Sequence, residues 1–115
     1  MDFDKIKAFL FDLDGTLYLD DKVISGAIET LDFLRRKGKK IVYLTNNSSR
    51  TDDEYYDKLK KLYLLADGDL VYSSLDAFVD FIKDESPHAK IYPVATQKVK
   101  KYLKGCGINV VSFKN

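Results

Sequence analysis

Short apolar segments alternating with longer amphipathic ones predict an α/β fold built on a doubly wound, mainly parallel sheet. Three observations carry that expectation. The alternation runs from Ile6 to Phe113. The amphipathic segments are bounded by helix start and stop residues. Polar residues Asp12, Thr45 and Ser73 each stand where an apolar run ends, and sheets of this kind bind ligands beyond the carboxyl ends of their strands. The 115 residues suffice for one domain, 1–115.

The first apolar run, Ile6 to Leu13, is nearly continuous and aromatic-rich, which predicts a strand buried on both faces. Ser25 is read as the cap of a helix from about Gly26 to Lys37, with Ala27, Ile28, Leu31 and Leu34 on one face. Arg35, Arg36 and Lys37 suit its negative end, and Gly38 suits the residue just past it. Ile41 to Leu44 is the second strand. Thr51 and Glu54 form a capping-box pattern before a helix carrying Tyr55, Leu59, Leu62 and Tyr63. Asp67-Gly68-Asp69 reads as a turn and Leu70 to Tyr72 as a third strand. Ser73 or Ser74 then caps a helix bearing Ala77, Phe78, Phe81 and Ile82. Ile91 to Val94 is a weak strand, because Pro93 cannot donate to a ladder. A helix from about Gln97 to Lys104 and a strand from Ile108 to Phe113 follow.

Composition narrows the function classes. Nineteen basic and eighteen acidic residues leave a net charge of +1, so no global field draws nucleic acid or an anionic membrane. The single cysteine, Cys106, forms no paired-cysteine metal spacing and reads as an apolar filler. No apolar run approaches the ~20 residues of a membrane span. Met1 to Lys5 lacks the pattern of a signal peptide, and the expected location is cytoplasmic. The lone His88 follows Ser86-Pro87 and is expected at the surface. Lys98, Lys100 and Lys101 are expected on a solvated helix face.

The run Asp12-Leu13-Asp14-Gly15-Thr16-Leu17 carries the chemistry. Residues two apart on a strand point the same way, so Asp12 and Asp14 can reach one pocket as the chain turns at Gly15. Paired carboxylates suit a hard divalent cation such as Mg²⁺. They can also divide nucleophilic and proton-transfer work. A capping or turn-forming Asp-Gly pair would explain Asp14-Gly15. It would not explain Asp12 inside an apolar strand, where an unpaired carboxylate is costly.

Phe11 to Tyr18 resembles motif I of the haloacid dehalogenase superfamily, and Leu44-Thr45-Asn46-Asn47-Ser48 resembles motif II. The segments Tyr18 to Ile24 and Asn46 to Thr51 are similar to the NagD-type branch, which includes p-nitrophenyl phosphatases and phosphoglycolate phosphatases. The resemblance implies an incomplete Rossmann-like core without its cap domain. It implies Mg²⁺-dependent hydrolysis of phosphate monoesters through an aspartyl-phosphate on Asp12, with small phosphorylated metabolites as substrates. Asp14 would act as general acid/base and, with Asp12, hold the metal. Thr45 and Asn46 would hold the phosphoryl group. Asp20 and Asp21 would lie at the tip of a short flap hairpin.

Two further family motifs, a lysine and an acidic pair, have no counterpart in the sequence. Gly68-Asp69 lacks the second acid, since Ser74 stands five residues after Asp69. The resemblance therefore implies an N-terminal portion with little activity by itself. Its first strand would present an open apolar edge, and a homo-oligomer through that edge is expected. Two alternatives accompany this reading. One is a receiver-type phosphoacceptor domain, which leaves Gly15-Thr16 unexplained; the other is a non-catalytic self-associating fragment.

Overall fold

The computed structural model describes residues 1–113. It contains a three-stranded sheet of order β1-β4-β5, two two-stranded sheets and four α-helices. Two compact units are present. One comprises Met1–Thr45 and Asp52–Tyr72; the other comprises Asn46–Thr51 and the chain from Ser73.

In the first unit, β1 (Ala8–Asp12) runs parallel to β4 (Lys40–Thr45), with Leu10 opposite Val42 and Asp12 opposite Leu44. Parallel strands require a crossover, and α1 (Ala27–Arg36) lies in it. Between β1 and α1, β2 (Tyr18–Leu19) and β3 (Lys22–Val23) form an antiparallel hairpin with Leu19 opposite Lys22. This places Asp20, in the left-handed region at φ 51°, and Asp21 at its tip, as expected. Helix α2 (Asp52–Lys61) precedes β5 (Leu70–Ser73).

Alternation decides which face of this sheet is covered. Ile41 and Tyr43 of β4 are buried with Leu31 and Leu34 of α1, Tyr55 and Leu59 of α2, and Leu13. Truncating one such leucine to alanine costs about 2–5 kcal/mol. The opposite face is open: Leu10 is 61 % exposed, and Leu70 and Tyr72 are also exposed. The expectation that the first strand is buried on both faces is thus wrong. Only Phe9 and Phe11 face the core cluster, and Ala8, Leu10 and Asp12 are exposed.

Two local expectations are also corrected. Helix α1 starts from Gly26 in the left-handed conformation (φ 88°) with no side-chain cap, so Ser25 is not its cap. Its other end is as read: Gly38 (φ 73°) donates to the Arg35 carbonyl and Lys39 to that of Leu34, closing the exit turn. Helix α2 ends at Lys61, and Tyr63 leaves the helical face. Tyr63 takes the left-handed position (φ 59°) with 83 % exposure, while Leu64 behind it is fully buried and donates to the Leu59 carbonyl. A glycine is the usual occupant of that position.

The turn Asp67-Gly68-Asp69 anchors to α1. Asp69 is buried and accepts from Arg35 Nη2 at 2.5 Å, Arg35 Nε at 3.4 Å and the Ala66 N–H at 2.9 Å. The Tyr43 hydroxyl donates to the Leu64 carbonyl and reaches Asp69 at 3.3 Å. Burial pushes the Tyr43 phenol well above its ordinary range, and the Asp69 charge adds to this while Arg35 opposes it. For Arg35, burial lowers the pKa, but Asp69, Tyr43 and Asp32 outweigh it and the net direction is up.

The second unit has its own core of Leu75, Val79, Ile82, Val99, Leu103 and Ile108. Ser73 caps α3 (Ser74–Glu85) in a capping box with Asp76, and Thr96 caps α4 (Gln97–Gly105) through the Val99 N–H. The two C-terminal strands are shorter than expected. They are β6 (Lys90–Ile91), which ends before Pro93, and β7 (Asn109–Val110), paired in parallel as Lys90↔Asn109 and Ile91↔Val110. His88 is exposed, and Cys106 is half-buried against the core.

Candidate active site

Asp12 closes β1, and the next five residues form a tight loop built on apolar anchors. Leu13 and Tyr18 are fully buried and Leu17 nearly so, while Asp12 and Asp14 are exposed. The Thr16 and Leu17 amides both donate to the Leu13 carbonyl at 3.0 Å, and the Gly15 amide donates to the Tyr18 carbonyl at 2.8 Å. Gly15 sits at φ +80° with open space where a Cβ would be, so conformation rather than crowding demands glycine. The Thr16 hydroxyl donates to Asp12 Oδ2 at 3.3 Å. Beside Thr16 lies a cavity of about 220 Å³, lined also by Phe11, Ser25, Gly26 and Thr30.

Thr45 ends β4, one residue past the partner of Asp12. Its side chain is buried, and its hydroxyl donates to that of Tyr55 at 3.4 Å. Asn46 follows and is exposed, with its backbone carbonyl accepting from the Ser74 hydroxyl at 3.3 Å. Asn47 Oδ1 accepts from both the amide and the hydroxyl of Ser49, at 2.9 and 2.6 Å, which shapes the turn after β4. The residue that sequence reasoning missed is Thr16. It belongs to the same six-residue run, four positions after Asp12 and just past the glycine turn, so a chain folding back on the strand end brings its hydroxyl there. Asp69 is committed to Arg35, which explains Gly68-Asp69 as a structural turn.

Two exposed carboxylates, Asp12 at the end of β1 and Asp14 in the loop after it, have the hard-oxygen chemistry that suits a divalent cation. They make a partial donor set. Among the described residues, no group of three or more His, Cys, Asp or Glu side chains could hold a metal ion.

A parallel α/β fold with an acid–turn–threonine loop at a strand exit defines the class as a Rossmann-like hydrolase core. The chain belongs to the haloacid dehalogenase-like hydrolase family, whose model matches residues 9–109. An acid sugar phosphatase of Staphylococcus aureus is 35 % identical over 102 residues, covering 89 % of this chain and 39 % of the relative. A 4-nitrophenylphosphatase from Thermotoga maritima superposes with a TM-score of 0.86 at 33 % identity, covering 97 % of this chain and 42 % of that one. A glycerol phosphate phosphatase from Mycobacterium tuberculosis, crystallised with calcium, superposes with a TM-score of 0.77 at 27 % identity, covering 94 % of this chain and 31 % of that one. The chain thus spans about two fifths of the length of the curated relatives it matches. No helix among the described residues is long and apolar enough to cross a membrane.

Proposed function

We propose that this chain carries the nucleophile of a Mg²⁺-assisted phosphate monoester hydrolysis, acting on small phosphorylated metabolites. The supporting observation is the exposed carboxylate of Asp12 at the exit of β1, oriented by the Thr16 hydroxyl at 3.3 Å. An Asp12 oxygen attacks phosphorus as the ester oxygen leaves, and Asp14 gives that oxygen its proton. Water then attacks the aspartyl-phosphate while Asp14 takes the water's proton, releasing inorganic phosphate and restoring Asp12. The Thr45 hydroxyl and Asn46 are assigned to the phosphoryl oxygens. Mg²⁺, held by Asp12 and Asp14, would supply charge neutralisation at the phosphate.

Turnover by these residues alone is expected to be low. Two carboxylates form only part of a metal site, and they repel a phosphate dianion unless a cation stands between them. The test is p-nitrophenyl phosphate hydrolysis with Mg²⁺, comparing the chain with Asp12→Asn and Asp14→Asn. The expected result is slow turnover that Asp12→Asn abolishes, with a phosphorylated species at Asp12 detected by mass spectrometry. Turnover that survives Asp12→Asn would overturn the mechanism. Rapid turnover by the unmodified chain would overturn the expectation of low activity.

A further inference from the structure

On the reading that the Thr45 hydroxyl holds a phosphoryl oxygen, on which this role rests, we propose that Tyr55 is the positioning residue for Thr45. Its phenol hydroxyl fixes the threonine in the free chain. When a phosphoryl group arrives, the phenol becomes the donor, and the Thr45 proton turns to the phosphoryl oxygen. The Thr45 hydroxyl donates to that of Tyr55 at 3.4 Å. Thr45 is buried at the end of β4, and Tyr55 is 1 % exposed in the first turn of α2.

Proton counting requires that hydrogen bond to change direction. A threonine hydroxyl has one proton and two lone pairs. An ionised phosphoryl oxygen only accepts, so holding it takes that one proton. In the free chain the proton is given to Tyr55. Once it turns to the phosphate, two oxygens would face each other with no proton between them unless the phenol turns its own into the gap. A phenol is more acidic than an alkyl hydroxyl, so it is the stronger donor of the two. No covalent bond forms or breaks, since each proton only swings about its own C–O bond. The reversed bond polarises the Thr45 hydroxyl, and successive hydrogen bonds of this kind strengthen one another.

Tyr55 can hold Thr45 because it is itself held. It belongs to the core that includes Leu13, Tyr43 and Leu59. The hydroxyl of the next residue, Tyr56, accepts from the Val71 amide at 3.1 Å and ties α2 to β5. Farther along the helix, Lys58 Nζ lies 4.3 Å from the centre of the Tyr18 ring. The Tyr18 carbonyl in turn accepts from the Gly15 amide. One helix therefore bears on Thr45 and on the loop that carries Asp14, and all of these groups lie within the first unit.

The test is a double-mutant cycle on p-nitrophenyl phosphate turnover with Mg²⁺, using Tyr55→Phe, Thr45→Val and the pair. Phenylalanine keeps the ring, and far-UV circular dichroism checks the fold. Thr45→Val should lower kcat/KM by about tenfold or more, as loss of a charge-assisted hydrogen bond does. Tyr55→Phe should lower it about fivefold and raise the inhibition constant of inorganic phosphate by a similar factor. In the Thr45→Val background, Tyr55→Phe should change either quantity by less than about 1.5-fold, because the two residues act as one unit. A tyrosine that only packs the core would lower turnover equally in both backgrounds. Thr45→Ser keeps the hydroxyl but loses the branch that stiffens its rotamer, so Tyr55→Phe should cost it more than it costs the native chain. Equal losses in the native and Thr45→Val backgrounds would overturn the proposal. So would native turnover and native phosphate inhibition in Tyr55→Phe. In both cases a Thr45→Val variant with lowered turnover leaves the phosphatase reading standing. Native turnover in Thr45→Val would remove the assignment of Thr45, and the role of Tyr55 with it.

Discussion

Asp69→Ala is expected to destabilise the first unit by about 3–4 kcal/mol. The Asp69 side chain is only 4 % exposed and accepts from two nitrogens of Arg35, at 2.5 and 3.4 Å, and from the Ala66 amide at 2.9 Å. Its removal strands a guanidinium that is 20 % exposed. Breaking a buried pair from one side costs about 3–5 kcal/mol. The lower part of that range applies because Arg35 keeps the Leu64 carbonyl at 2.8 Å and the exposed Asp32 at 3.1 Å. At about 4 °C per kcal/mol for a chain of this size, the midpoint should fall by ~12–16 °C. Urea titration followed by circular dichroism measures the loss. The double variant Arg35→Met/Asp69→Leu should recover most of it, since the cost lies in the uncompensated charge. Asp32→Ala, which breaks only the exposed pair, should change stability by about 0.5 kcal/mol or less. A loss below ~1 kcal/mol for Asp69→Ala would refute the argument that this turn is held by a buried ion pair.

Tyr63→Gly should stabilise the chain by about 1 kcal/mol, because it relieves a left-handed non-glycine residue at the end of α2; thermal melts compare the two. Tyr43 has a folded pKa above its unfolded value of about 10. Its contribution is complete below that pH and is lost as pH rises toward the folded value, so stability should fall in alkali. Tyr43→Phe should flatten that fall, which urea midpoints across the alkaline range would detect. Thr16→Val should lower p-nitrophenyl phosphate turnover about tenfold by freeing the Asp12 carboxylate to rotate, with an unchanged melting midpoint. Gly15→Ala should cost about 1 kcal/mol in stability and lower turnover, because φ +80° is strained for alanine.

Much of the fold was legible because its signals are local. The α1 exit is written in Leu34, Arg35 and Gly38, and the α3 entry in Ser73 and Asp76. The loop after β1 was readable for the same reason, since Gly15 between two acids and a threonine forces a turn at a strand end. What escaped is non-local. The apolar run Ile6 to Leu13 says nothing about whether a second layer covers Ala8 and Leu10, and both are exposed among the described residues. Tyr63 fits helical spacing, but Leu64 wins the buried place and the helix stops to deliver it. Thr45 sits at the expected strand end, yet its contact with Tyr55 depends on α2 packing, which spacing cannot encode. Asp69 was legible as a turn residue, but its ion pair with Arg35, thirty-four residues away, was not.

Leu13 gives the reactive loop a fulcrum. It touches no phosphate in the proposed chemistry, yet its side chain is fully enclosed and its carbonyl gathers two amides from the returning chain. The two acids on either side of it are aimed by an oil-filled socket instead of by their own charges. Remodelling that socket, for instance with a smaller aliphatic group, would loosen the aim of both carboxylates at once while leaving every polar atom of the loop in the sequence.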